Sequence, residues 1–189
     1  MKKIVPILLL IFFALTLSGC GGGVNYKSTT EEIKAKVTSK YDPYKKSTTI
    51  TGPKVDIVQY GEGFMSKHWA KWFIRGWKTA DSDSYLIYVI DKTQGGGFRD
   101  FRSATNINRK EHEFTRIDSD IDVSCWGGKG AGCNTYYRED FGIYLSRNDM
   151  DLGLQSGINI QVYSKSGQTR TIIVDPKYIN AILDVSDAI

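Results

Sequence analysis

The chain has 189 residues, 25 basic against 21 acidic side chains, a formal charge of +4 and two histidines. That length suits one domain with a real hydrophobic core and is short for two. The near-balance of charge excludes a nucleic-acid binder, which would carry a basic stripe, and a surface held to anionic lipid by a basic cluster. Lys34, Lys36, Lys40, Lys45 and Lys46 are interspersed with Glu31, Glu32 and Asp42, and we read them as a solvated face.

The chain opens with Met1-Lys2-Lys3, continues as an apolar run of 14 residues from Ile4 to Leu17, and reaches Leu17-Ser18-Gly19-Cys20. A charged start, a short hydrophobic segment and small residues before a cut site are the parts of an export signal. A membrane-spanning helix needs about 20 apolar residues, and this run stops sooner. Leu17-Ser18-Gly19-Cys20 closely resembles the lipobox of bacterial lipoproteins. The resemblance covers residues 1–20 alone. It implies that a diacylglyceryl group, with palmitate-like chains, is attached to the Cys20 thiol and that the chain is cut just before it. Two or more acyl chains, at roughly 0.8 kcal/mol per buried methylene, anchor a protein stably where one does not. Gly21, not Asp, follows the cysteine. In a Gram-negative envelope, the sorting rule for such lipoproteins then implies the periplasmic face of the outer membrane. The expected organisation is a removed signal over 1–19, a lipidated flexible tether over 20–30 and one β-rich domain over 31–189. With Lys2 and Lys3 gone, 23 basic side chains face 21 acidic ones, a net +2.

Past the tether the dominant pattern has period 2, which sends alternate side chains to opposite faces of a strand. Ile33, Ala35 and Val37 alternate and read as a strand, although Thr29 with Glu32 has the spacing of a helix capping box. Asp42-Pro43 and Gly52-Pro53 bracket a short β-prone run from Lys46 to Thr51, and Val55 to Val58 follows as another. His68 to Lys78 and Tyr85 to Asp91 are predicted as a hairpin around the polar turn Thr79 to Ser84. Tyr85 to Ile90 is apolar on both faces and belongs in the middle of a packed structure. After Gly95-Gly96-Gly97, Phe98 to Ala104 and His112 to Cys125 are predicted to pair around Asn106-Ile107-Asn108. In the second of these, Ile117, Ile121 and Val123 share one parity with Cys125, while Arg116, Asp118, Asp120 and Asp122 share the other. Tyr136 to Ser146, Ile158 to Ser164 and Thr169 to Val174 supply three more strands. Asn148 to Leu154 reads as a short helical turn, and Pro176 ahead of Tyr178, Ile179, Ile182 and Leu183 as an amphipathic helix. The expectation is a mainly β protein, an antiparallel β-sandwich or open barrel of about eight strands with a short C-terminal helix.

With Cys20 assigned to lipid, Cys125 and Cys133 remain as an even pair in an oxidising compartment, and we expect a disulfide. Closing so short a loop stabilises by roughly 2.5 kcal/mol in the chain-entropy model. The enclosed Trp126 to Gly132 holds four glycines, which adopt the positive φ angles of a tight loop. The spacing is not that of a Cys-x-x-Cys redox pair, and a structural zinc site needs about four Cys or His ligands.

Few patterns carry reactive chemistry. Asp118, Asp120 and Asp122 are spaced like the start of a calcium loop, but an EF-hand from Asp118 needs Gly at 123 and Glu at 129, where Val123 and Lys129 stand. A solvated strand face explains the three aspartates, and no metal is expected. His68 and His112 read as structural histidines. The mature chain has neither a Gly-x-Ser-x-Gly elbow nor a Ser-x-x-Lys motif. Gly127 to Gly132 lacks the order of a phosphate loop, so no cofactor is expected.

The aromatic residues cluster: Phe64, Trp69, Trp72, Phe73 and Trp77 lie within 14 positions. In strand geometry Ala70, Trp72 and Ile74 face one way, and Trp69, Lys71, Phe73, Arg75 and Trp77 the other. The second face mixes rings with cations. It suits a stacking platform for a sugar or peptide, or an interface patch; it also suits ordinary packing of Lys and Arg stems along rings. Trp126 and Lys129, on the loop enclosed by the cysteines, are further candidates for recognition. The expected function is a non-enzymatic, membrane-tethered module that binds an envelope protein or a wall component such as peptidoglycan. One alternative is an envelope hydrolase acting on glycan or lipid through carboxylates that converge in the fold, since glycosidases need two such groups about 5–10 Å apart. Another is an inhibitor or exclusion factor, by analogy with small disulfide-bearing lipoproteins that inhibit host lysozymes.

Overall fold

The computed structural model describes residues 24–57, 68–125 and 132–189. The segment read as an export signal and lipobox, with Cys20, and Phe64 and the Trp126–Lys129 stretch lie outside them. Among the described residues the order is α1 (Thr30–Lys34), β1 (Thr38–Asp42), β2 (Ser47–Thr51), β3 (Val55–Asp56), β4 (His68–Lys78), β5 (Asp83–Gln94), β6 (Phe101–Asn106), β7 (Glu111–His112), β8 (Phe114–Cys125), β9 (Cys133–Ser146), α2 (Arg147–Ser156), β10 (Ile158–Ser164), β11 (Thr169–Val174) and α3 (Pro176–Asp187). The larger sheet runs β1-β2-β4-β5-β9-β8, with β3 on the same edge of β4 as β2; the smaller runs β11-β10-β6-β7. All these strand pairs are antiparallel.

One core joins the two sheets into a β-sandwich. Trp72, Ile74, Ile87, Val89, Phe141 and Ile143 from the larger sheet share it with Phe101, Ile160, Val162, Ile172 and Val174 from the smaller. β5 lies between β4 and β9 and buries Tyr85, Leu86, Ile87 and Val89 to 4% exposure or less, as its two apolar faces require. In α3, Asp175 caps the first turn through Lys177 N at 2.8 Å and Pro176 sits where a missing N–H costs nothing. Tyr178, Ile179, Ile182 and Leu183 then fall on one buried stripe. In α2, Ser146 and Asp149 form a reciprocal capping box.

Several segments depart from the period-2 reading. Residues 30–34 are helical, because the Thr29 hydroxyl accepts from Glu32 N at 3.2 Å and the Glu32 carboxylate from Thr29 N at 3.0 Å. The strand expected there begins instead at Thr38. Packing starts earlier than position 31: Val24 is buried and forms a parallel bridge with Val55. β6 and β8 do not pair. They belong to different sheets, because β8 runs back along β9 through the hairpin that Cys125 and Cys133 close. β8 is an edge strand exposed on both faces, with Ile117 at a bulge, so Ile117, Ile121 and Val123 are 42–57% exposed. Its alternation therefore marks sheet direction without marking a core.

Candidate binding face

The register places Trp69, Lys71, Phe73, Arg75 and Trp77 of β4 on the outer face of the larger sheet, opposite the core residues Trp72 and Ile74. The parity read from the sequence is the parity in the fold. Across the sheet, Trp69 lies beside Lys92 of β5, Lys92 beside Arg138 of β9, and Arg138 beside Asp120 of β8. Tyr136 and Asp122 form the next row.

These rows make a ladder of rings and charges. The Trp69 and Tyr136 rings are 5.9 Å apart, tilted at 52°, and Lys92 Nζ stands 4.6 Å over Tyr136 while pairing with Asp122 at 3.2 Å. Trp69 is 48% exposed, which leaves a free indole surface. Further along β4 the face closes over itself. Phe73 stacks on Tyr88 at 4.9 Å, Arg75 covers both rings at 5.6–5.7 Å, and Phe73 is only 5% exposed. Leu86 fills the space above Gly142, where a Cβ would lie 2.6 Å from its Cδ1. Trp77 is half-buried at the far end. Of the candidate residues, Trp69 thus offers itself to a ligand, Phe73 is packing, and Trp77 is a partial contact. Tyr136, Lys92 and Arg138 complete the site, although they come from strands distant in sequence.

The face is close to electrically neutral. On β4, β5, β9 and β8 it carries Lys71, Arg75, Lys92 and Arg138 against Asp118, Asp120, Asp122 and Asp140. Asp140 is buried; Arg138 Nε donates to it at 2.8 Å and the Tyr88 hydroxyl at 2.8 Å. Burial, reinforced by that carboxylate, pushes the Tyr88 phenol up to about 12, so it stays a proton donor. The arrangement can stack a flat or ring-shaped ligand and exchange hydrogen bonds with hydroxyls.

Cys125 and Cys133 are joined by a disulfide and sit opposite each other at the β8–β9 hairpin end. This clamp is the staple expected from the cysteine count, and it holds together the two strands that carry Arg138, Tyr136 and the three aspartates. Those aspartates project from the edge strand; Asp122 is engaged by Lys92, and Asp118 and Asp120 accept from the backbone of Ser119 and Ile121. Among the described residues no three His, Cys, Asp or Glu side chains gather as a metal site, and no helix is long and apolar enough to cross a membrane.

A second group of charges lies between the sheets. Asp91 and Glu139 are register partners on β5 and β9, both buried. Asp91 pairs with buried Arg170 at 2.7 Å and Arg99 at 3.7 Å, while Glu139 accepts from the backbone N of Arg99 and Asp100 at 2.7 and 2.9 Å. These two carboxylates are neighbours in register, and guanidinium and backbone donors hold both. No protein-family model matches the chain, and no curated protein matches it.

His68 and His112 lie in different sheets. Burial holds the His112 imidazole below its ordinary value against the opposing pull of Asp149, and Lys110 adds to the depression. Burial raises Asp149, yet hydrogen bonds from Lys110 and Ser146 bring it below the usual carboxylate range. Both shifts are downward, so both stabilise the fold at neutral pH and lose that contribution on acidification. Urea midpoints should fall between about pH 7 and about pH 5, where an unfolded histidine takes up a proton that folded His112 declines. His112→Gln should flatten that part of the profile; an unchanged slope would show that another group titrates.

Proposed function

We propose that this chain is a bacterial envelope lipoprotein, cut before Cys20 and held by lipid there, whose β-sandwich binds cell-wall glycan without chemical turnover. The observation that carries the binding half is the neutral ladder on the outer face, with Trp69 exposed beside Tyr136. A sugar ring stacks its C–H face on an indole, and fixed carboxylates and cations in alternation suit hydroxyls that both donate and accept. A strongly charged partner would instead call for a face of one sign. Trp69 and Trp77 are eight positions apart on one strand, roughly 26 Å at the ordinary rise, which suits an extended polymer. The anchor half rests on the lipobox resemblance at Leu17-Ser18-Gly19-Cys20.

Co-sedimentation with purified peptidoglycan tests the reading. Trp69→Ala should weaken binding at least tenfold, about 1.4 kcal/mol, and cost about 1–3 kcal/mol of stability through the half of the ring that packs on its neighbours, so the comparison is made on protein shown to be folded. Binding should persist from about 0.1 M to about 1 M salt, where screening shortens to ~3 Å. A protein that stays in the supernatant, or a Trp69→Ala variant that sediments as well as the parent, would count against glycan binding.

A further inference from the structure

A cavity of about 440 Å³ opens at the edge of the sandwich beside β3 and α3. Val24, Ile33, Val55, Ile57, Trp72 and Ile173 supply its apolar lining. The volume lies within the roughly 300–1,000 Å³ of small-ligand sites. Polar side chains line it too, among them Asn25, Asp56, Asp175 and Lys177. The rim is unusually greasy for a solvated strand: Ile173 of β11 is 65% exposed, and it falls on the parity opposite its buried neighbours Ile172 and Val174.

The chain itself says what belongs there. Val24 is a wall of the cavity, 4% exposed and bridged to Val55, which also lines it. Cys20 precedes Val24 by four residues, so even a fully extended backbone keeps it within about 14 Å of that wall. A lipid on Cys20 is thus tied to the mouth of an apolar cavity, at a high effective concentration set by a very short linker.

We propose that this cavity takes one acyl chain carried on Cys20 of the same molecule. The inference rests on the lipidation part of the function proposed above and is independent of glycan binding. The remaining acyl chain or chains stay in the bilayer and keep the protein anchored. Trp72 lines the cavity from the inner face of β4, whereas Trp69 stands on the outer face of the same strand. Seating a chain therefore holds the domain by one side of the sheet and leaves the ring ladder on the other side free.

The test uses the full-length protein in cells fed a palmitate analogue that carries a photoreactive diazirine. After irradiation of the membranes, digestion and mass spectrometry should find label on Cys20 and intramolecular adducts joining that lipid to peptides containing Ile57 or Ile173. Ile173→Arg places a charge in the mouth at an already exposed position; it should lower those adducts at least fivefold with an unchanged melting temperature. Label on Cys20 with adducts to phospholipid alone would overturn the cavity proposal and leave lipidation standing. Phospholipid-derived adducts in the cavity, or intramolecular adducts indifferent to Ile173→Arg, would overturn it as well. A chain with no label on Cys20 would overturn both this inference and the anchor.

Discussion

Asp91→Asn should destabilise the protein by about 3–5 kcal/mol, the usual cost of breaking a buried ion pair from one side. Asp91 is 1% exposed at its side chain, Arg170 2% and Arg99 8%, so two guanidinium groups lie between the sheets facing this carboxylate. Asparagine keeps the shape and removes the charge. Glu139 cannot stand in, since it is held by the backbone N–H groups of Arg99 and Asp100. Urea denaturation gives the number. The triple variant Asp91→Leu with Arg170→Met and Arg99→Met should recover at least half of the loss, because well-packed apolar replacements of a whole buried charge cluster are often neutral. A single variant within about 1 kcal/mol of the parent would mean that water reaches the pair and screens it.

How far the fold is written in local sequence follows from which forces are local. β4, β10 and β11 run over the spans expected for them, His68–Lys78, Ile158–Ser164 and Thr169–Val174, because alternation and bracketing turns are properties of the segment itself. The split of Trp69 and Phe73 from Trp72 and Ile74 needed only strand parity. The helix at Thr30–Lys34 went the other way: three alternating residues carry less weight than a capping box that satisfies two orphan backbone donors. The partner of β8 was missed because the Asn106-Ile107-Asn108 turn suggested a hairpin from β6 into β8, whereas that turn joins β6 to the short β7 and the disulfide hairpin joins β8 to β9. Yet the two expected cysteine partners already implied that hairpin.

The binding face shows the same division. Trp69 and Trp77 were visible as an aromatic cluster, but Tyr136, Lys92 and Arg138 become neighbours only through cross-strand register. Their signal was present in weak form: Tyr136, Arg138 and Asp140 alternate at the start of β9, with a parity opposite to Phe141 and Ile143 of the core. Arg170 is the one charge in β11, but Asp91 stands beside Lys92 near the end of β5, so neither pattern marked a buried pair. What no local pattern contains is which two such charges meet.

The second large effect is expected at Gly52, where the sheet meets α3. A Cβ there would lie 2.2 Å from Tyr178 Oη and 2.9 Å from Ile182 Cδ1, closer than atoms can approach. The phenol cannot simply step aside. Its hydroxyl donates to Pro53 O at 2.8 Å and accepts from Ile74 N at 3.3 Å, and its ring packs edge-on to Trp72 at 4.7 Å. Burial pushes that phenol well above its ordinary value, so it is neutral at any physiological pH and the bonds are those of a hydroxyl. Gly52→Ala should therefore cost about 2–4 kcal/mol, combining overpacking with buried hydrogen bonds left unmade. Tyr178→Phe alone should cost about 1–3 kcal/mol through the two lost bonds. Together the changes should cost less than their sum by about 1 kcal/mol or more, since removing Oη also removes the nearest clash. Strict additivity in that double-mutant cycle would show that the steric limit at Gly52 comes from the contacts that Tyr178→Phe leaves in place, Tyr178 Cζ and Ile182 Cδ1, each 2.9 Å from that Cβ.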